Sequence, residues 1–191
     1  DICLCIWYDY FMKKNIFILI TLIIIIGVGF FVWNKPSNQI AVTNFEDCAA
    51  LGDPVMESYP RKCQYNGETF TENIGNELDK VDLIKVTSPR PNQTITSPLI
   101  ITGEARGKWF FEANFPVTLT NWEGKTIAEG FATANGEWMT ENFVPFEAKL
   151  TFIIDKNIYS NKGTLILKKS NASDLREHDD SLEMPVIFDL K

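Results

Sequence analysis

The most apolar part of the chain is the uncharged run Ile16–Trp33, which is eighteen residues long. As a helix, this run is long enough to cross a hydrocarbon layer about 30 Å thick. Lys13 and Lys14 precede it and Lys35 follows it, so the excess of positive charge lies on the N-terminal side. We therefore predict a single-pass signal anchor over residues 12–34, with the chain after it outside the cell membrane. A cleaved signal and a secreted product are the alternative.

The first methionine of the chain is Met12, which opens a segment of two lysines followed by the apolar run. This order is typical of a bacterial export signal. We therefore expect residues 1–11 to be an extension upstream of the true start. A cytoplasmic tail is the alternative.

Beyond residue 80 the pattern changes to short runs of β character that are separated by turn residues. The runs are Val81–Val86, Leu99–Thr102, Val117–Asn121, Thr126–Thr133, Phe146–Ile154, Gly163–Lys168 and Pro185–Leu190. About seven short strands in roughly 110 residues, with few stretches of helical period, are typical of an all-β sandwich. We predict such a sandwich over residues 81–191.

Residues 35–80 carry one helix signal and one hairpin signal. Thr43 and Glu46 have the spacing of a capping box. Asn66-Gly67 lies between alternating residues, which is a strong hairpin signal. We predict a linker and then a helix-hairpin unit that is too small to bury a sizeable core, with residues 73–80 as a polar spacer.

Two cysteines, Cys48 and Cys63, remain if the chain starts at Met12. An even number outside the membrane predicts a disulfide. A bridge that closes a loop of about 15 residues contributes roughly 3 kcal/mol, mainly by restricting the unfolded chain. Two free buried thiols are the alternative, which applies if the unit faces the cytosol.

Charge and motif content argue against several functions. The formal net charge of −7 disfavours a nucleic-acid partner, because phosphates would be repelled. The sequence has no phosphate-binding loop, nucleophile elbow or zinc-protease motif. A triad around the single histidine, His178, would need neighbouring polar residues to converge, so we expect no enzyme and no cofactor.

The acidic stretch Ser173–Glu183 offers oxygen ligands of the kind that Ca²⁺ prefers. It lacks the spacing of a calcium-binding loop, so we favour a solvated connection between two strands and predict no metal site.

Two segments contain candidate partner contacts. Tyr59 and Arg61 lie in the loop that the disulfide would close, and both residue types are enriched at interfaces. The alternative is a stapled stalk element with no binding role.

The second segment is Gly107–Val117, which has four aromatic residues. On a regular strand, alternation predicts that Phe110 and Glu112 face solvent on the side opposite the core. With Arg106 they form a candidate contact patch. The core side is predicted to carry Trp109, Phe111 and Phe115.

Several of these residues match one known pattern. The landmarks are Ser88-Pro89, Ser97-Pro98, Gly103–Arg106, Trp109–Glu112, Phe115-Pro116, Trp138-Met139 and Pro145-Phe146. With them, residues 81–191 resemble the bacterial spore-germination immunoglobulin-like domain family. The resemblance implies an immunoglobulin-like sandwich in an envelope protein that acts in adhesion or protein binding, and it implies no catalytic residues. The preceding unit looks like a small Cys-pair motif that is found beside such domains.

These features together predict a membrane-anchored extracytoplasmic module for non-enzymatic protein binding, adhesion or scaffolding in a bacterial cell envelope. We expect its partner to be another envelope protein. The alternative is a glycan- or peptidoglycan-binding module that uses exposed aromatic residues such as Trp122 or Phe110.

Overall fold

The computed structural model describes residues 41–155, 157–173 and 175–190. The predicted anchor at residues 12–34 and the predicted extension at residues 1–11 lie outside the described residues. Within the described part of the chain, no helix is both long and apolar enough to cross a membrane.

The first described element is a small unit of one helix and a three-stranded antiparallel sheet. Its elements are α1 (Phe45–Ala50), β1 (Val55–Met56), β2 (Lys62–Tyr65) and β3 (Glu68–Thr71), with sheet order β1-β2-β3. The predicted hairpin turn is present, and Asn66 and Gly67 both have the positive φ that a two-residue turn of this kind requires. The sulfur atoms of Cys48 and Cys63 lie at disulfide distance, which joins α1 to β2 as the sequence predicts.

The cap of α1 differs from the expected one. The side-chain oxygen of Asn44, rather than that of Thr43, accepts a hydrogen bond from the backbone N–H of Asp47 at 2.8 Å. Thr43 instead donates its hydroxyl to the carboxylate of Asp47 at 2.9 Å. The helix therefore begins one residue later than the capping-box spacing suggests.

The rest of the described chain forms one eight-stranded sheet. Its strands are β4 (Ile84–Ser88), β5 (Thr94–Ile95), β6 (Leu99–Arg106), β7 (Asn114–Asn121), β8 (Thr126–Ala134), β9 (Phe143–Leu150), β10 (Lys162–Lys168) and β11 (Ser181–Phe188). They lie in the order β4-β6-β9-β8-β7-β10-β11-β5. The described residues thus hold eleven strands in all, and the large sheet has eight rather than about seven. The unpredicted strand is β5, whose two residues give no pattern to detect.

The sheet curls at β8 and closes over one core. β8 pairs with β7 along most of its length, but it pairs with β9 only over residues 132–134. The rings of Phe115 on β7 and Phe146 on β9 meet edge to face at 4.9 Å. The rings of Phe152, after β9, and Phe188 on β11 meet at 5.7 Å. The two halves of the sheet therefore form the two layers of a β-sandwich, as predicted.

Alternation along the strands fills this core. On β11, for example, the buried residues are Leu182, Met184, Val186 and Phe188. Each fully buried side chain of this size stabilises the fold by about 1.5–3 kcal/mol relative to its exposed state. The single cluster that these residues join includes side chains from both layers.

Residues 73–80 are not the predicted polar spacer, because two of their polar side chains, Asn76 and Lys80, bond the sandwich. The side-chain amide of Asn76 donates to the carbonyl of Ser181 at 3.0 Å, and its oxygen accepts from the N–H of Glu183 at 2.8 Å. The short helix α2 (Glu77–Lys80) follows, and Lys80 forms an ion pair with Asp180. This segment covers part of the edge of β11 and fixes the small unit against the sandwich.

Gly75 is expected to be essential for this docking. Its φ is +72°, and a Cβ atom at this position would lie 1.8 Å from the carbonyl oxygen of Glu183. We expect Gly75→Ala to lower the free energy of unfolding by about 2 kcal/mol or more, from backbone strain and the clash. Urea unfolding measures this change.

The matched control is Gly67→Ala. Gly67 also has a positive φ, of +83°, but a Cβ atom there would meet nothing within 4 Å. The control should cost only about 1 kcal/mol. Equal losses for the two variants would contradict the close packing against β11.

Candidate binding surfaces

The stretch Gly107–Val117 is not one regular strand. Gly107–Trp109 forms a 3₁₀ turn. It packs so closely on the loop between β8 and β9 that a Cβ on Gly107 would lie 2.0 Å from the carbonyl oxygen of Thr140. The chain then reverses through a two-residue turn, in which the N–H groups of Phe111 and Asn114 each donate to the other's carbonyl. The 3₁₀ turn and the two-residue turn interrupt the alternation of faces along the stretch.

The interruption exchanges the expected positions of two phenylalanines. Phe110 is 4% exposed, so its predicted role as a solvent-facing contact is wrong. Phe111 is 49% exposed, so its predicted place in the core is wrong as well. Trp109 and Phe115 are fully buried, as predicted. Glu112 is exposed, as predicted, but it lies at the tip of the turn rather than on a strand face.

Three exposed apolar side chains lie on neighbouring segments at this end of the sandwich. They are Phe111, Phe131 on β8, which is 66% exposed, and Met139 in the loop between β8 and β9, which is 74% exposed. The pairing of Asn114 with Thr133 places the turn beside β8. The packing of Gly107 on Thr140 places the 3₁₀ turn beside the loop between β8 and β9. We call Phe111, Glu112, Phe131 and Met139 the turn patch.

The turn that presents this patch is strained. Glu112 and Ala113 have φ of 49° and 62°, in the left-handed region that residues with a Cβ atom avoid. Each such residue costs about 1 kcal/mol or more. The turn lies between the buried Phe110 and Phe115, whose rings are in contact at 5.2 Å. Strained residues of this kind cluster at functional sites.

Arg106 supports the turn patch rather than belonging to it. Its Nε donates to the carbonyl of Asp82 and its Nη1 to the carbonyl of Glu141, each at 3.0 Å. Its guanidinium lies 4.3 Å from the centre of the Phe143 ring. These contacts tie β6 to the loop that carries Met139. Arg106 is therefore a structural residue in the described chain.

Tyr59 and Arg61, the other predicted partner contacts, are about half exposed and belong to a polar network within the chain. The Tyr59 hydroxyl donates to the carboxylate of Glu77, and Arg90 donates to the Tyr59 oxygen at 2.7 Å. Arg90 also forms an ion pair with Glu77 at 2.6 Å. These bonds connect the disulfide loop to α2 and to the segment after β4.

Arg61 belongs to the other half of this network. Its guanidinium binds Glu72 through two bonds, from Nε at 2.8 Å and from Nη2 at 2.6 Å. Asn92 donates to the same carboxylate at 3.1 Å. We call Tyr59, Arg61, Glu72, Glu77 and Arg90 the ionic clamp. The buried carboxylates of Glu72 and Glu77 are both paired, which is the condition under which burial of a charge is tolerated.

The clamp shifts the titration of its members. The hydrogen bonds from Arg61 lower the pKa of Glu72, with a smaller contribution from Asn92, and they outweigh the opposing effect of burial. The same pair raises the pKa of Arg61. A carboxyl whose pKa is lowered on folding stabilises the fold above its ordinary pKa, and this contribution is lost as the pH falls through the lowered value.

Side chains of the acidic loop bond one another, Asn171 or Lys80. Ser173 Oγ lies 2.9 Å from His178 Nδ1, but both side chains are exposed, and the hydroxyl is also 2.6 Å from the side-chain oxygen of Asn171. Asp179 accepts from Asn171, and Asp180 pairs with Lys80. Among the described residues, no three acidic, histidine or cysteine side chains converge on one point.

These observations define a class: a β-sandwich module whose exposed apolar residues suit non-enzymatic binding or scaffolding. Residues 83–174 match the family model for the immunoglobulin-like domain of bacterial spore germination. Comparison with curated proteins and with solved structures found no match.

We expect the clamp to control stability in acid. Glu72→Gln should lower the free energy of unfolding by about 1–2 kcal/mol near pH 7, since a charged acceptor is lost. The difference from the unmodified chain should begin to shrink below pH 4.5, because Glu72 then takes up a proton in the unfolded state while it stays ionised in the folded one. It should be lost once the pH falls through the lowered pKa of Glu72 in the folded state. Urea unfolding between about pH 3 and pH 7 measures it. Glu68→Gln, an exposed carboxylate on β3, is the control; a difference that is independent of pH would contradict the shifted pKa.

Relief of the turn strain should stabilise the fold. Replacement of Glu112-Ala113 by Asn-Gly supplies the residues that favour a turn with two positive φ values. We expect the free energy of unfolding to rise by about 1 kcal/mol or more, as measured by urea unfolding. A fall in stability would show that the native side chains at this turn make contacts that outweigh its strain.

Proposed function

We propose that the chain is a membrane-anchored, extracytoplasmic module that binds a protein partner in the bacterial cell envelope without catalysing a reaction. The observation that carries this proposal is the turn patch. It combines two aromatic side chains and one methionine, all about half exposed or more, with one carboxylate. Aromatic residues and methionine are enriched in the parts of protein surfaces that bind other proteins.

The composition of the turn patch indicates the chemistry of the partner. Phe111 and Phe131 offer rigid apolar surface, whereas the thioether chain of Met139 adapts to irregular partners. Glu112 at the turn tip favours a basic group on the opposite surface. We therefore infer a partner surface with an apolar depression beside a lysine or arginine.

The proposed location is supported by the sequence and by the cysteine pair. The order of lysines and apolar residues before residue 34 is that of a signal anchor. Cys48 and Cys63 lie at disulfide distance, and disulfides persist in oxidising compartments outside the cytosol. An anchor at the N-terminus would restrict the partners to the envelope.

Photocrosslinking on the full chain in intact bacteria tests this role. A benzophenone amino acid replaces Phe131 or Met139, and a control places it at the exposed Thr69 on β3. We expect one discrete protein adduct from the two turn-patch positions and none from Thr69. The additional change Phe111→Ser should reduce that adduct at least about tenfold, as hot-spot aromatics do.

Two outcomes would refute the role of the turn patch. One is the absence of any adduct at both Phe131 and Met139. The other is an adduct that forms equally well from Thr69 and is insensitive to Phe111→Ser. Thermal unfolding of each variant confirms that the fold is retained, which we expect because all three replaced side chains are exposed.

A further inference from the structure

A second exposed aromatic feature lies at the opposite end of β7 from the turn patch. Trp122 lies in the turn between β7 and β8, and Tyr159 lies in the loop between β9 and β10. The eight residues of β7 separate the two ends by roughly 25 Å. The two features therefore lie too far apart to be one surface.

Trp122 and Tyr159 form a pair of rings. Their centroids lie 5.4 Å apart and their planes are inclined at 48°. Trp122 is 44% exposed and Tyr159 is 90% exposed, so large parts of both rings face solvent. Two rings in contact, each with a large part of its surface exposed, offer an apolar platform for a ligand.

The turn that carries Trp122 is held in place by its own hydrogen bonds. The side-chain oxygen of Asn121 accepts from the N–H of Glu123 at 3.1 Å and from the N–H of Lys125 at 2.9 Å. Gly124 supplies the positive φ, of +78°, that the turn needs. The indole is thus presented from an ordered backbone, and little entropy is lost when a ligand binds.

Polar side chains accompany the two rings on both segments. Glu123 and Lys125 share the turn with Trp122, and Asp155 and Asn157 precede Tyr159 in its loop; all four are exposed. Donors and acceptors of both signs therefore lie on the two segments that carry the rings. This differs from the turn patch, where three separate segments each contribute an apolar side chain.

We infer that the Trp122–Tyr159 pair is a stacking site for a neutral glycan. A pyranose ring has an apolar face of C–H groups that fits the electron-rich face of an aromatic ring, and hydroxyls at its rim that need polar partners. The Trp122–Tyr159 pair offers the aromatic face, and the polar side chains on the same segments offer partners for the hydroxyls. The net charge of −7 disfavours an anionic polymer at the same place.

This site is independent of the turn patch, and neither proposal requires the other. The test is isothermal titration calorimetry on the full chain with three hexasaccharides. Chitohexaose and cellohexaose are neutral, and a galacturonic acid hexamer is anionic. We expect a Kd on the order of 1 mM for at least one neutral hexasaccharide and much weaker binding of the anionic one.

Three variants identify the site. Trp122→Ala and Tyr159→Ala should each weaken binding by roughly tenfold, because each removes one stacking face. Ile153→Ala is the matched control, since Ile153 lies in the same loop and is 91% exposed but belongs to no ring pair. It should leave the affinity unchanged to within about twofold.

The inference is overturned by any of three results. The first is that neither neutral hexasaccharide gives a heat of binding at about 10 mM. The second is that both aromatic variants bind as tightly as the unmodified chain. The third is that Ile153→Ala lowers the affinity as much as the aromatic variants do. The last result would indicate general apolar adhesion rather than stacking. Loss in Tyr159→Ala alone, with Trp122→Ala misfolded, would still support the site.

Discussion

The architecture depends on how β8 divides its pairing between two neighbours. Its first part bonds only β7, and residues 132–134 bond β9 as well. Glycine in a strand often marks such a corner, where another backbone approaches closely. Ala132, Ala134 and Ala148 lie at this corner, and a Cβ on Gly130 would come within 2.8 Å of the Leu150 side chain. Larger residues here would hold the layers apart and expose the core.

The small N-terminal unit is held by a different kind of interaction. It has few buried apolar residues of its own, chiefly Phe45 and the two cysteines. Its attachment therefore rests on backbone bonds to β11 and on the two buried carboxylates of the ionic clamp. Buried charges add specificity of orientation only when every partner is present, so the clamp acts as one cooperative group.

Prediction from the sequence worked where local pattern decides structure, and it failed where distant residues do. All seven predicted β runs overlap observed strands, because alternation and core burial agree there. The stretch after Gly107 departs from alternation because it begins in a 3₁₀ turn that packs closely on Thr140, and no local sequence signal reveals that packing. The roles of Tyr59 and Arg61 were missed for the same reason, since their partners Glu77 and Glu72 lie well beyond the disulfide loop. Residues 107–117 stay a candidate contact region, and its solvent-facing phenylalanine is Phe111 rather than Phe110.

Both proposed surfaces lie at ends of the same strand, and this has a mechanical consequence. β7 is flanked by β8 and β10, and its inward residues Phe115, Val117 and Leu119 are fully buried. A strand fixed in this way at the centre of a sheet keeps the distance between its two ends nearly constant, because close-packed interiors are rigid. A protein partner at the turn patch and a glycan at the Trp122–Tyr159 pair would then be held roughly 25 Å apart. Such an arrangement suits a spacer that sets a protein at a fixed distance from a polysaccharide, and it needs no conformational change to do so.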